Sequence, residues 1–289
     1  MNPPYQIFVT HSQPLAETTY STTQTPFVSP DLNRRTNPAA TLKSVQSIFA
    51  FAVPQPAPTS PAPAHANLSS LGVNPDYHPR VRAVIKDFVK DLPRAADFKH
   101  KILVDSGGLD ERAIAHRAGL GFYGRHGLII SPTYGTRFNI GLLLTNIPLA
   151  EAAGMVPPPA TKAQSCPPGC HRCITTCPNQ ALSPGQPLHW ARCISYLTQK
   201  KDLSHAEKDL LHGQLYGCDI CQNICPFNHF STGTYINPET WVTLSDEAFL
   251  STYGHTAMLW QGTEILKRNA QLAISLTTQN EQDKISIAP

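Results

Sequence analysis

Cys166-Pro167-Pro168-Gly169-Cys170-His171-Arg172-Cys173-Ile174-Thr175-Thr176-Cys177-Pro178 is the stretch on which the reading of this chain turns. Its second part returns as Cys218-Asp219-Ile220-Cys221-Gln222-Asn223-Ile224-Cys225-Pro226, and Cys193 stands between the two. These are all eight cysteines of the 289 residues, and the first 165 positions contain none. Such segregation marks a small metal domain inside a larger protein. Two 4Fe-4S clusters need two sets of four thiolates. Soft, polarisable sulfur suits iron–sulfur chemistry, and the proline after the last cysteine ends each ligand loop. In two-cluster modules the last cysteine of a run reaches across to the other cluster. That rule groups Cys166, Cys170, Cys173 and Cys225 around one cluster, and Cys177, Cys193, Cys218 and Cys221 around the other. Two structural zinc sites are the competing reading, because Cys-x2-Cys is shared with zinc ribbons; the repeated Cys-x2-Cys-x3-Cys-Pro run disfavours it. One spacing is long, since Pro167-Pro168-Gly169 puts three residues between the first two ligands. Gly169 can adopt a positive φ and close the longer loop.

Outside this module the chain has the composition of a folded protein: 41% of it is apolar, enough to bury a core. A formal net charge of +3 does not by itself advertise a nucleic-acid binder. Many of the 27 prolines cluster in Val53 to Pro63 and Val156 to Pro159, which read as loops or linkers. The most apolar run, Ile140 to Val156, is interrupted by Thr145, Asn146, Pro148 and Glu151, so no membrane span is expected. Met1-Asn2-Pro3-Pro4-Tyr5 lacks the basic and apolar regions of a signal peptide. A cytoplasmic, reducing setting is therefore expected, where metal binding is favoured over disulfides.

In the cysteine-free part, Val81, Val84, Ile85, Phe88, Val89 and Leu92 recur at helical spacing and predict an amphipathic helix over Arg80 to Leu92. His100 to Asp105 reads as a short strand ending in an acid, followed by Ser106-Gly107-Gly108 and a helix over Leu109 to Ala118 that Gly119 stops. Strands are expected near Leu128 to Ser131 and Phe138 to Leu144, with Ser47 to Val53 a further strand of the same sheet. An acid at a strand end beside a glycine turn is either an active-site group or a helix cap, and both readings of Asp105 stand at this point. The match Gly119-x-Gly121-x-x-Gly124 suggests dinucleotide binding only weakly, because it follows a helix rather than a strand.

An ordered series of segments resembles the cobalamin-dependent epoxyqueuosine reductases of bacterial tRNA modification. It comprises Arg35-x-x-Pro38, Asp76-Tyr77-His78, Val104-Asp105-Ser106-Gly107 with Glu111-Arg112-Ala113, Arg117-Ala118-Gly119-Leu120-Gly121, and Tyr134-Gly135. The first cysteine run, Arg192-Cys193-Ile194-Ser195-Tyr196-Leu197-Thr198 and Tyr216-Gly217-Cys218-Asp219 complete it. The resemblance implies an α/β (α+β), nitroreductase-like cobalamin-binding domain over residues 1–155. A small two-cluster ferredoxin-like domain over 156–230 and a short helical C-terminal segment over 231–289 would follow. It implies reduction of epoxyqueuosine to queuosine at the tRNA wobble position, with cob(I)alamin fed by two 4Fe-4S clusters. Asp105 matches the proton donor, and Ile129, Ile140, Ser195, Cys218 and Asp219 match positions that contact cobalamin held base-off, without a histidine on cobalt. The implied partners are the tRNA anticodon stem-loop carrying epoxyqueuosine and an external single-electron donor such as flavodoxin or ferredoxin; the chain would act as a monomer, away from membranes, and without the helical-repeat tail of some members. A related cobalamin reductase on a non-tRNA substrate and a non-catalytic electron carrier are the competing functions.

Overall fold

Two strongly apolar segments organise the first half of the chain. The computed structural model describes residues 5–15, 30–58, 62–93, 95–106, 108–157 and 165–286; residues 59–61 and 158–160 of the proline-rich stretches lie outside it. Its described strands are β1 (Gln6–His11), β2 (Ser47–Pro54), β3 (His100–Leu103), β4 (Phe122–Tyr123), β5 (Ile129–Ile130) and β6 (Phe138–Thr145). A four-stranded sheet runs in the order β1-β2-β6-β3, every pair antiparallel. The central strands β2 and β6 are buried along almost their whole length, which requires cover on both faces.

Period-two alternation assigns the two faces of β2. Phe49 and Phe51 meet the edge of Phe88 on the helix Tyr77–Lys90, with ring centroids 5.2 and 5.4 Å apart. That helix buries Val81, Ile85 and Val89 in one stripe, and Gly141 of β6 lets it come close, since a Cβ there would strike Val81 and Ile85. On the opposite face Ile48, Ala50 and Ala52 pack with Leu142, Leu144, Ile114 and Ala115, the last two from the helix Glu111–Arg117. The result is a sheet between two helical layers.

The strand expected at 128–131 does not join this sheet. Ile129–Ile130 pairs instead with Phe122–Tyr123 in a separate two-stranded ladder. The glycines proposed for a dinucleotide have packing explanations. Gly119 ends the helix at φ +87° while Leu120 N–H bonds back to the Ala115 carbonyl, a Schellman arrangement. A side chain at Gly121 would collide with the Ile130 carbonyl across the ladder.

The residues group into two compact units rather than three consecutive blocks. The first holds the sheet, over Met1–Pro56 and His78–Cys170, with the short return Pro226–His229; the second holds Ala57–Tyr77, His171–Cys225 and Phe230–Pro289. In the first unit Asn228 clasps Thr136, accepting from its N–H at 2.7 Å and donating to its hydroxyl at 2.9 Å. Gly135, at φ +57°, leaves room for that return, since a side chain would meet Phe227 and Asn228. In the second unit Leu68, Leu215, Tyr216, Trp241, Phe249, Met258, Leu266 and Ala270 share one core. Segment 57–77 and the C-terminal helices thus build one hydrophobic centre with the chain around the second cysteine run. The buried Asn269 joins them through hydrogen bonds to the Thr198 and Leu215 carbonyls at 2.7 and 2.8 Å. Among the described residues no helix is long and apolar enough to cross a membrane.

Candidate active site and cluster module

Asp105 sits just past the end of β3 at φ +48°, in the left-handed region that L residues other than Asn and Asp rarely enter. Its side chain is 75% exposed, with His78 Nε2 at 4.0 Å. The helix that follows does not use it as a cap. Asp110 does that, accepting from Ala113 N–H at 3.0 Å while its own N–H bonds to the Arg35 carbonyl at 2.9 Å. Of the two readings of Asp105, capping is therefore removed by the geometry. The turn is held from both sides: Arg82 donates to Ser106 Oγ at 3.1 Å, and Ser106 N–H donates to Glu111 Oε1 at 3.4 Å. Packing around the half-buried Glu111 and the like charge of Asp105 push its carboxyl up to about 8. Glu111 and His78 lie within the sequence motifs, but nothing in the sequence alone gives either a role.

None of the eight cysteines is in a disulfide. Cys166 and Cys170 fall in the first unit and the other six in the second. Gly169 is at φ +72°, and Cys170 N–H donates to the Pro167 carbonyl at 3.1 Å, so the longer first loop closes by the glycine route. In the second unit burial, then its neighbours Cys193, Asp219 and Cys177, push Cys218 up to about 12. Burial raises Cys221 and Cys193 as well, and each feels the charge of other members of the set Cys177, Cys193, Cys218 and Cys221. Backbone N–H groups are already aimed at these sulfurs: Ser195 and Tyr196 at Cys193, Ile220 at Cys218, and Ala181 at Cys177 at 3.3 Å. Crowded thiols without a cationic side chain among these neighbours, three of the four met by a backbone N–H, suit a metal cluster, whose positive iron stabilises the thiolate form. Among the described residues no three His, Cys, Asp or Glu side chains converge where a single ion would bind. Zinc would draw four sulfurs to about 2.3 Å from one point, whereas a cubane distributes them over separate irons.

The other expected contact residues divide between the units. Ile129 is buried in β5, whereas Ile140 is the one half-buried position of β6. An isoleucine left partly open on an otherwise closed strand, in the unit that also presents Asp105, fits an apolar ligand face. Asp219 is engaged within the second unit: its carboxylate accepts from Ser70 N–H at 2.8 Å, from the Thr232 hydroxyl and from Gln222. Ser195 offers its carbonyl to Thr198 and Gln199, at 3.1 and 2.7 Å. Lys200 is tied to Glu207 at 2.6 Å.

An acid on an open turn beside a covered sheet, in a chain with two cysteine runs, defines an iron–sulfur oxidoreductase. Residues 166–228 match the 4Fe-4S double cluster binding domain, and residues 35–106 match the domain described as epoxyqueuosine reductase QueG. An epoxyqueuosine reductase of Listeria monocytogenes is 33% identical over 87% of this chain and 69% of its own length. Similar solved structures include an epoxyqueuosine reductase with an epoxyqueuosine-modified tRNA-Tyr stem loop (28% identity, TM-score 0.76, 93% of this chain and 76% of that one). Another is that of Bacillus subtilis with its catalytic aspartate loop swung out of the active site (28% identity, TM-score 0.75, 93% and 77%). The chain belongs to the epoxyqueuosine reductase family.

Proposed function

We propose that this chain reduces epoxyqueuosine to queuosine at the tRNA wobble position, with Asp105 as general acid. The observation that carries the assignment is the exposed Asp105 carboxyl on a left-handed turn, relieved of capping by Asp110. A relative that holds a modified tRNA stem loop, and one with a catalytic loop named for an aspartate, support it. The reaction takes two electrons and two protons; the epoxide carbon–oxygen bonds are replaced by a carbon–carbon double bond, and the oxygen leaves as water. When bound, cobalamin supplies the reducing nucleophile and the clusters supply single electrons to it. Ile140, Ile129, Ser195, Cys218 and Asp219 would hold the corrin, the buried Ile129 through its backbone. The thiolate sets are Cys177, Cys193, Cys218 and Cys221 for one cluster, and Cys166, Cys170, Cys173 and Cys225 for the other. Asp105 protonates the departing oxygen, and an external single-electron donor in the cytoplasm restores the electrons. An electron carrier alone would have no use for an acid held this way.

The test is single-turnover reduction of an epoxyqueuosine-bearing anticodon stem-loop by cofactor-loaded protein with a chemical reductant. Asp105→Asn keeps the shape and cannot give up a proton, so the rate should fall roughly 10²- to 10⁴-fold while both cofactors still load. A near-normal rate would reject Asp105 as the acid.

A further inference from the structure

We propose that Glu111 is the positioning residue of this site: its carboxyl latches the backbone of the turn that presents Asp105. The inference rests on the reading of Asp105 as general acid and adds to it the part that fixes the acid in place. A non-glycine residue at positive φ persists only where its surroundings over-determine it. Here the N–H groups of Asp105 and Ser106 are both directed at the Glu111 carboxyl, the second at 3.4 Å. Glu111 is a firm anchor because it is the first residue of a helix whose cap, Asp110, is bonded to Ala113 and to the Arg35 carbonyl. The charged groups that face it are Asp105 on the turn and Arg82 on the helix Tyr77–Lys90; His78, from the same helix, faces Asp105. Packing and the Asp105 charge keep the Glu111 carboxyl neutral at pH 7. A neutral carboxyl still accepts N–H bonds, and it does so without setting a second anion beside the acid.

Glutamine shares that property, and alanine lacks it. With cofactor-loaded full-length protein, Glu111→Ala should slow single turnover of the epoxyqueuosine stem-loop roughly 10- to 100-fold, the scale of a displaced catalytic group. The concentration of stem-loop giving half the maximal rate should stay put, and Glu111→Gln should return the rate to within about threefold of the parent. Hydrogen exchange gives a readout independent of activity: amides of residues 105 and 106 should lose protection in Glu111→Ala and keep it in Glu111→Gln, with strands β2 and β6 unchanged in both. Unchanged exchange at 105 and 106 in Glu111→Ala overturns the latch. So does a Glu111→Gln protein in which those amides are as open as in Glu111→Ala or, should the alanine variant not fold, are freely exchanging. Failure of the underlying reading looks different: Asp105→Asn would then turn over normally, while the exchange data would still decide whether Glu111 holds the turn.

Discussion

Glu111 titrates in the range where an enzyme works, and that has a consequence for stability. Its carboxyl is raised from 4.5 to about 8 in the folded protein, by packing first and by Asp105 second. A raised folded value means that the unfolded chain gives up this proton earlier. The stability this group contributes is thus fully present below about pH 4.5 and is lost as pH climbs through about 8. Denaturant unfolding of the parent and Glu111→Gln proteins should therefore diverge between about pH 5 and 8, the glutamine variant gaining on the parent as pH rises. Parallel curves across that window would show that Glu111 ionises freely. At this scale the sequence displayed the acid but not its support. Asp105 stood out as a strand-terminal carboxylate, and its two possible uses were both visible. The residue that takes over the capping, Asp110, and the one that bonds the turn, Glu111, acquire those roles only once the glycine turn folds back onto the helix start.

The elements that were legible are those with long, unambiguous periodicity. The helix expected over 80–92 forms at Tyr77–Lys90, and the buried strands appear at Ser47–Pro54 and Phe138–Thr145. The edge strand β1 escaped notice because Gln6, Thr10 and His11 dilute its apolar pattern, and most of its positions are only half-buried. Of the ladder β4–β5, the strand Ile129–Ile130 falls within the one expected at 128–131, but its partner escaped because Phe122–Tyr123 is only two residues long and lies in a glycine-rich stretch that reads as a turn. The C-terminal helix Thr263–Ser286 was expected only as part of a helical segment over 231–289, not as part of a shared core, yet Leu266 and Ala270 pack with Leu68 and Leu215 and one buried polar residue adds to that contact. Asn269 is wholly buried and donates twice, to Thr198 and Leu215. Asn269→Ala leaves two carbonyls without those donors and should cost about 1–3 kcal/mol in denaturant unfolding. A loss below about 0.5 kcal/mol, the size of an ordinary surface change, would show that water replaces the amide.

Across the whole molecule, chain order and spatial grouping part company. The proline cluster Val53 to Pro63 read as a loop or linker inside the first domain, yet Leu68, just beyond it, lies in the second unit's core, while the return Pro226–His229 belongs with the first. A single leucine just past a proline cluster carries no signal of which core it joins, and a four-residue return has no pattern to read. The double-cluster module was legible because ligand spacing is local, and the proposed grouping is tested most sharply at Cys193, the residue outside both runs. Cys193→Ala should abolish one cluster and leave the other, lowering iron and sulfide to about half; full loading would remove Cys193 from the ligand set. Where the electron relay and Asp105 serve one reaction on tRNA, the nucleosides of the host's own tRNA report on it. Mass spectrometry of tRNA from a strain lacking this chain should show epoxyqueuosine accumulated and queuosine gone, with queuosine restored by the parent gene and not by Asp105→Asn. Unchanged queuosine in the deletion strain, or full restoration by the asparagine variant, would contradict the account.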